Sequence, residues 1–286
     1  PASAGGSSMA KRLFLIFGLL GLLATRLAAA DLLVLIHGYA SGAQTWEFSG
    51  INNELQARGW HRGGVLVPAV QGMQLIPGPG ADAVHKSFAV SLPAEAPLAV
   101  QAHYLALALG VLRHHYPEEK LILTGHSAGG VVARFVLLGN NPYQVSQLIT
   151  IASPHLGTGR AAQGLDVVDA KPFFCPGPGI EFLKHLVGGA DYDYLEDSRG
   201  VLVDLLPAGS GNVLSWLNQQ PHPAIAYYAV VRNTPLAAGD NIVPGFSQDL
   251  NNVPTLQGKV TVLYTPSGHV LNPQDGVLLA GILDNS

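Results

Sequence analysis

The stretch from Lys120 to Leu138, KLILTGHSAGGVVARFVLL, constrains the fold more than any other part of the sequence. An apolar run typical of a buried strand ends in Gly-His-Ser-Ala-Gly, and a run with helical character follows directly. Gly125, Gly129 and Gly130 leave room for the strand and the helix to approach each other around a sharp turn. We therefore predict that Ser127 lies in a strained strand-to-helix turn that exposes its hydroxyl as a nucleophile, and not in an ordinary tight turn.

The rest of the chain alternates between short apolar runs and longer helical stretches. The strand-like runs are residues 32–38, 64–70, 120–125, 147–153, 224–231 and 259–265. Helical stretches are predicted over residues 46–58, 96–116, 130–138 and 275–283. Continuous apolar runs of this kind are typical of parallel strands buried on both faces. The pattern predicts an α/β fold with a mostly parallel, doubly wound sheet of about six strands, whose ligands bind beyond the carboxyl ends of the strands.

The composition describes a chain that can bury a large core. Of 286 residues, 48% are apolar and 12% are charged, which excludes a disordered chain. The formal net charge is -4 and no run of like charges occurs, so we predict no nucleic-acid partner. Cys175 is alone and forms no internal disulfide. Residues 31–286 are predicted to form a single α/β domain.

The N-terminal region has the pattern of a targeting segment. Residues 1–8 resemble a cloning remnant, and residues 9–30 combine a basic start, an apolar run over residues 13–23 and a small-residue cleavage site. The rival interpretation is a membrane anchor, but the apolar run is shorter than the roughly 20 residues that a bilayer span requires. We predict a signal peptide, cleavage after Ala30, and an exported mature chain, periplasmic or secreted, without a stable membrane span.

A long segment between the fourth and fifth predicted strands, residues 154–223, interrupts the alternation. Segments this long in compact domains usually have a function of their own. We predict a cap or lid over the site, and an ordinary helical excursion is the alternative.

A serine nucleophile needs a base and an acid, and both types of residue follow later strands. Asp240 lies in AAGDNIVP after the fifth strand, and His269 lies in TPSGHVLNP after the sixth. The order Ser, Asp, His is the one that this type of turn requires. His269 would take the proton from Ser127, and Asp240 would orient the imidazole. Asp249 and Asp204 remain alternative acids.

Hydrolysis through a serine also requires backbone donors for the developing oxyanion. One should be the N–H of Ala128, directly after the nucleophile, and the other should come from the loop after the first strand, HGYASG. We assign Tyr39 as the second donor, with Ala40 and Ser41 as alternatives.

Two histidines near these groups are interpreted as structural. His37 should brace the loop that carries Tyr39. His126 should point away from the reaction and brace the packing of the turn.

Five motifs, LVLIHGYASGAQTW, LTGHSAGGVVARFVL, ITIASPHLGT, GDNIVP and SGHVLNP, resemble those of α/β-hydrolase lipases and esterases. The likeness is greatest to bacterial triacylglycerol lipases and the inositol-deacylase-like group, and it covers nearly the whole mature chain. It implies carboxylic ester hydrolysis through an acyl-enzyme, with Ser127, Asp240 and His269 as triad and Tyr39 and Ala128 as oxyanion donors. The paired aspartates of a calcium site are missing near His269, and the acidic stretch 191–197 is interpreted as a solvated face, so no metal or cofactor is predicted.

The substrate is expected to be a hydrophobic ester, small or lipid, with a lipid interface as a further partner. Candidates for the apolar wall are Trp46, Met73, Leu156, Phe173, Phe174 and Val243. Short-chain esters or polyesters are alternatives, as are thioester or amide hydrolysis and acyl transfer on the same triad. A non-catalytic binding protein ranks last, because no triad member is missing.

Overall fold

The computed structural model describes residues 31–169, 197–233 and 238–285. The predictions for residues 1–8 and 9–30, for Phe173 and Phe174, and for Cys175 lie outside the described residues. The strands are β1 (Asp31–Ile36), β2 (Trp60–Ala69), β3 (Gly72–Pro77), β4 (His85–Val90), β5 (Lys120–His126), β6 (Val145–Ile151), β7 (Ala226–Arg232) and β8 (Val260–Thr265).

The described helices lie mostly between the strands. They are α1 (Thr45–Phe48), α2 (Ile51–Ala57), α3 (Leu98–His115), α4 (Ala128–Val136), α5 (Gly159–Asp169), α6 (Arg199–Asp204), α7 (Val213–Gln219), α8 (Gly245–Gln248) and α9 (Pro273–Leu283). Among the described residues, no helix is both long enough and apolar enough to cross a bilayer.

Within the described residues the strands form one eight-stranded sheet in the order β3-β2-β4-β1-β5-β6-β7-β8. Every neighbouring pair is parallel except β2 with β3, which is antiparallel. The predicted mostly parallel α/β sheet is therefore confirmed. Ser127 follows β5, in the interior of the strand order.

The strand count was predicted too low, because β3 and β4 fall in the glycine- and proline-rich stretch 71–95. Strand β4 carries Lys86 and Ser87, which lowers its apolar character, yet both side chains are buried. The ammonium group of Lys86 lies 4.9 Å from the centre of the Tyr116 ring, which supplies a favourable cation–π contact. Strand β8 was predicted to be buried on both faces. In the structure it lies at the edge of the sheet, and its Tyr264 is largely exposed.

Strand β1 shows why the sheet is covered on both faces. Leu32 and Val34 belong to one core, with helices α3 and α4, and Leu33 and Leu35 belong to the other, with α2 and α9. Successive side chains of a strand point to opposite faces, so a strand between two helical layers needs an unbroken apolar run.

The described part of the predicted cap contains α5, α6 and α7, and residues 170–196 lie outside the described residues. Helix α6 is tied to the main domain at its end, because the Asp204 carboxylate accepts a hydrogen bond from the Leu98 backbone N–H at 2.7 Å. The Thr158 N–H donates to the Leu205 carbonyl at 2.9 Å. These contacts hold the described cap segments next to the carboxyl ends of β5 and β6.

Candidate active site

Ser127 has the strained backbone that the sequence predicts, with φ 51° and ψ -130°. Close packing enforces this conformation. A methyl group on Gly125 would lie 2.5 Å from the Cα of Gly130, and one on Gly129 would overlap the His37 carbonyl oxygen. The Ser127 N–H donates to the Ile151 carbonyl at 2.9 Å, which fixes the turn to β6. A non-glycine residue persists at positive φ only where its surroundings determine the conformation in this way.

The structure brings Ser127, His269 and Asp240 together. The Nε2 of His269 lies 3.0 Å from the Ser127 Oγ, and its Nδ1 lies 2.9 Å from the Asp240 Oδ2. Both distances are within hydrogen-bond range. Because the carboxylate can only accept, Nδ1 carries the hydrogen and Nε2 presents a lone pair to the hydroxyl of Ser127. This is the tautomer that a general base requires.

Four donors surround the buried Asp240 carboxylate. Oδ1 accepts from the backbone N–H groups of Ile242 at 2.8 Å and Val243 at 2.7 Å, and Oδ2 accepts from His269 and from the Gln248 amide at 3.2 Å. Burial acts to raise the pKa of Asp240, but its hydrogen bonds and the nearby imidazole outweigh burial and lower the pKa. The carboxylate therefore stays ionised beside His269.

The two alternative acids have other positions. The Asp204 carboxylate accepts from the Leu98 N–H at the start of α3. The Asp249 carboxylate accepts from the Asn251 N–H at 2.8 Å and caps a short 3₁₀ turn. Of the three aspartates considered, Asp240 is the one whose carboxylate is hydrogen-bonded to His269.

The loop after β1 packs directly on the nucleophile. A methyl group on Gly38 would lie 2.8 Å from the Cβ of Ser127. His37 braces this loop as expected: its Nδ1–H donates to the Gly38 carbonyl at 2.9 Å, and its Nε2 accepts from the Leu92 N–H at 3.0 Å. Burial lowers the pKa of His37, which keeps the ring neutral, so that Nε2 can accept the bond from Leu92.

The two predicted oxyanion donors belong to the two segments that adjoin Ser127, the loop after β1 and the start of α4. Ala128 is the first residue of α4, so its N–H has no carbonyl partner within the helix. Tyr39 follows Gly38 and borders the cavity next to Ser127, as do Ala40 and Ser41. The Tyr39 phenol is turned towards Ser198 of the cap, and burial raises its pKa. The choice between these loop amides stays a prediction.

His126 does not point away from the reaction, contrary to the prediction. Its ring centre lies 5.1 Å from that of His269, its Nε2 lies 2.9 Å from the His269 carbonyl oxygen, and the side chain borders the cavity. Burial, followed by the proximity of His269, lowers the pKa of His126 to about 3. As the last residue of β5, His126 faces the neighbouring loop 266–272, a direction that sequence spacing does not give.

A cavity of about 470 Å³ opens beside Ser127 and His269. Its apolar lining residues are Ala40, Pro154, Ala161, Leu202, Leu205, Ile242, Val243, Val270 and Leu271. Polar groups of Ser41, Thr45, Thr158 and Arg160 complete the wall. An apolar pocket with a few polar groups next to reactive side chains is the usual form of a small-molecule site.

The predicted cavity wall is only partly correct. Val243 lines the cavity, whereas Trp46 is fully buried in the core between the sheet and α2, because α1 turns Thr45 to the cavity and Trp46 inwards. Leu156 is absent from the lining and Met73 lies on β3, away from Ser127. Sequence reasoning missed Leu202 and Leu205, since no spacing rule places a distant cap helix over a site.

The described residues contain no group of three or more His, Cys, Asp and Glu side chains arranged to hold a metal ion. Most of the acidic stretch 191–197 lies outside those residues, so the absence of a metal stays a prediction.

Comparisons with known proteins agree on the architecture. Residues 94–167 match the family model of the PGAP1-like alpha/beta domain. No curated protein sequence matches the chain.

Three solved structures illustrate the similarity. The lipase BlEst2 of Bacillus licheniformis in its mature form is 15% identical, with a TM-score of 0.61 over 90% of this chain and 92% of that one. The product of gene lin2722 from Listeria innocua is 14% identical, with a TM-score of 0.58 over 90% and 94%. The Pyrococcus furiosus esterase PF2001 is 14% identical, with a TM-score of 0.53 over 90% and 81%. At such identities the likeness shows the fold, and the chain has the α/β-hydrolase fold.

Proposed function

We propose that this α/β-hydrolase-fold protein is a serine hydrolase that cleaves carboxylic esters with a hydrophobic acyl group. One observation carries the proposal: His269 is hydrogen-bonded to the Ser127 hydroxyl through Nε2 and to the buried Asp240 carboxylate through Nδ1. A hydroxyl is a weak nucleophile at neutral pH, and an adjacent oriented base activates it.

The reaction then proceeds in two halves. His269 takes the proton of Ser127 as Oγ attacks the ester carbonyl, and it gives this proton to the leaving alcohol. The negative charge of the tetrahedral intermediate falls between the loop after Gly38 and the start of α4, where Tyr39 and Ala128 supply N–H donors. In the second half the same imidazole takes a proton from water as the water oxygen attacks the acyl carbon, and it gives this proton to the Ser127 Oγ, so that the acid is released and the serine hydroxyl is restored. Asp240 stabilises the imidazolium in both halves.

The cavity supports the choice of acyl group. Its apolar residues come from the cap, from the loop after Asp240 and from the segment after His269, so an acyl chain bound there contacts hydrocarbon on several sides. The same cavity could hold the acyl group of a thioester or an amide, since its apolar wall contacts the acyl chain and not the bond that is cleaved. The alternatives must therefore be separated by substrate.

A fluorophosphonate probe tests the enzyme class. Wild type should be labelled, Ser127→Ala should not, and kcat for a p-nitrophenyl ester should fall by about 10³-fold or more in Ser127→Ala. Ser146→Ala is a matched control, since its hydroxyl bonds the Leu121 carbonyl at the opposite end of the strands. A wild-type protein that is neither labelled by the probe nor active on the ester would contradict the proposed serine hydrolase activity.

A chain-length series of p-nitrophenyl esters, with thioester and amide counterparts, tests the substrate class. We expect kcat/KM to rise from acetate to medium-length chains and to be much lower for amides. Turnover of acetate alone would remove the hydrophobic-acyl part of the proposal and leave esterase activity.

Export of the mature chain is proposed on the pattern of residues 9–30. Mass spectrometry of protein recovered outside the cytoplasm should give an N-terminus at Asp31. An uncleaved chain in that fraction would contradict the proposal.

A further inference from the structure

We propose that His126 is a positioning residue for the general base: it holds the backbone of the loop over residues 266–272 so that the imidazole of His269 lies between Ser127 and Asp240. The catalytic consequence rests on the proposed function, whereas the effect on the loop does not.

The loop has few other attachments between its ends. It joins β8 to α9, with the Thr265 carbonyl bonded to the Asn233 N–H at 2.8 Å and the Asn272 N–H bonded to Asp275 at 3.0 Å. Between these points, within the described part of the chain, the backbone of residues 266–271 makes one hydrogen bond, from His126 to the His269 carbonyl. Gly268 faces open space and Val270 is 76% exposed, whereas Leu271 is buried in the core with α2 and α9. Packing therefore fixes the end of this segment and restrains the backbone around His269 weakly.

His126 is well placed to act as an anchor. It ends β5, pairs with Ile151 of β6 and directly precedes Ser127. The side chain is almost completely buried. The same rigid strand end therefore determines the position of the nucleophile and, through the His126 ring, of the base loop. A common support keeps the separation of the Ser127 hydroxyl and the His269 imidazole within reacting distance.

The donor in this contact must be His126. The His269 carbonyl can only accept, so the Nε2 of His126 carries the hydrogen, and its Nδ1 has no partner among the described residues. Because the ring stays neutral, it adds no second positive charge when His269 takes the proton of Ser127. A lysine or arginine would bond the same carbonyl but would oppose the imidazolium.

Loss of this donor should affect the rate more than binding. Displacement of a reacting group by about 1 Å can cost about 10²-fold in rate. The His126 contact is made to the backbone of the base loop and persists through the reaction, so its removal should lower kcat and leave KM nearly unchanged.

A matched pair of variants separates the hydrogen bond from the volume of the ring. His126→Gln keeps an N–H donor on a side chain of similar reach, and His126→Met has the same length without a donor. We expect His126→Met to lower kcat about 10- to 100-fold, with KM within about 2-fold, and His126→Gln to recover most of the loss. Thermal unfolding of both variants identifies any general loss of structure.

Crystal structures of wild type and both variants provide a readout that needs no activity. In His126→Met the backbone of residues 266–271 should shift, or show raised B-factors relative to the rest of the domain, and in His126→Gln it should stay near its wild-type position. Wild-type kcat and an unchanged loop in His126→Met would overturn the proposal, as would equal losses of kcat in two equally stable variants. If wild type reacts with neither ester nor fluorophosphonate, the proposed function fails, and the comparison of loop positions still decides whether His126 anchors the loop.

Discussion

Arg232 and Asp275 form a two-point ion pair inside the domain, with Nη1 2.6 Å from Oδ1 and Nη2 2.8 Å from Oδ2. Both side chains are almost completely buried. Arg232 ends β7, the strand before Asp240, and Asp275 lies in the first turn of α9, the helix after His269. The pair therefore joins the segment that leads to the acid with the segment that follows the base.

Breaking this ion pair should destabilise the domain strongly. Arg232→Met leaves the Asp275 charge buried without its partner, and such losses cost about 3 to 5 kcal/mol. The double variant Arg232→Met/Asp275→Leu should recover part of the loss, because it removes both charges. Urea unfolding measures each free energy, and Arg58→Met is the control, since its 3.2 Å pair with Asp284 is about half exposed and should contribute less than about 1 kcal/mol. Equal effects at both pairs would contradict this account.

The identity of the acid can be tested against the alternatives that the sequence leaves open. Asp240→Asn removes the charge that holds the His269 tautomer, so kcat should fall by about 10³- to 10⁴-fold with little change in KM. Asp204→Asn and Asp249→Asn are the matched controls, because asparagine retains their capping role and neither carboxylate contacts His269. A control that lost as much activity as Asp240→Asn would show that the assignment is wrong.

The sequence was sufficient to predict the turn at Ser127, the parallel strands and the three triad candidates. The turn and the strands depend on local patterns of glycine and apolar residues, and the candidates follow from the chain order Ser, Asp, His. Those patterns fix the parallel sheet and place Ser127, Asp240 and His269 at the carboxyl ends of β5, β7 and β8. Strand β4 escaped prediction because Lys86 and Ser87 are buried within the sheet although their types are usually exposed.

The cavity wall depends on long-range packing and was harder to predict. Leu202 and Leu205 reach it from a cap helix far along the chain, and Trp46 misses it because a short helix rotates its ring into the core. The direction of the His126 ring depends on the end of β5 and on the loop over residues 266–272 together. The sequence of either segment alone therefore does not predict the direction of this ring.

Gly38→Ala should impair catalysis by forcing the loop after β1 away from Ser127. The new Cβ would lie 2.8 Å from the Cβ of Ser127, closer than such atoms approach, and the displaced loop carries the Tyr39 amide. We expect a loss of about 10²-fold or more in kcat, the range for loss of one oxyanion donor. Gly110→Ala is the control: its Cβ meets nothing within 4 Å, and alanine in a helix interior should stabilise α3 by about 0.5 to 1 kcal/mol. An active Gly38→Ala enzyme would show that the loop can retreat without cost.

Stability should fall as the pH drops from about 6.5 towards 4, because several histidines are buried in neutral form. Burial lowers the pKa of His126 to about 3 and that of His222 to about 4, and it also lowers the pKa of His155. Between those values and the ordinary value of 6.5, the unfolded chain binds protons that the folded protein does not. The free energy of unfolding therefore rises with pH in this window, by up to about 1.4 kcal/mol per pH unit for each such histidine.

His222 is the member of this set that can be removed with least damage. Its Nε2 accepts from the Arg134 Nε at 3.3 Å, so protonation would place two cations together, and the oxygen of a glutamine can accept the same bond. Urea unfolding at a series of pH values should give a shallower slope between pH 4.5 and 6.5 for His222→Gln than for wild type. Ser146→Ala, which removes no titratable group, should keep the wild-type slope. A flat profile in wild type, or an unchanged slope in His222→Gln, would mean that these rings take up protons without unfolding.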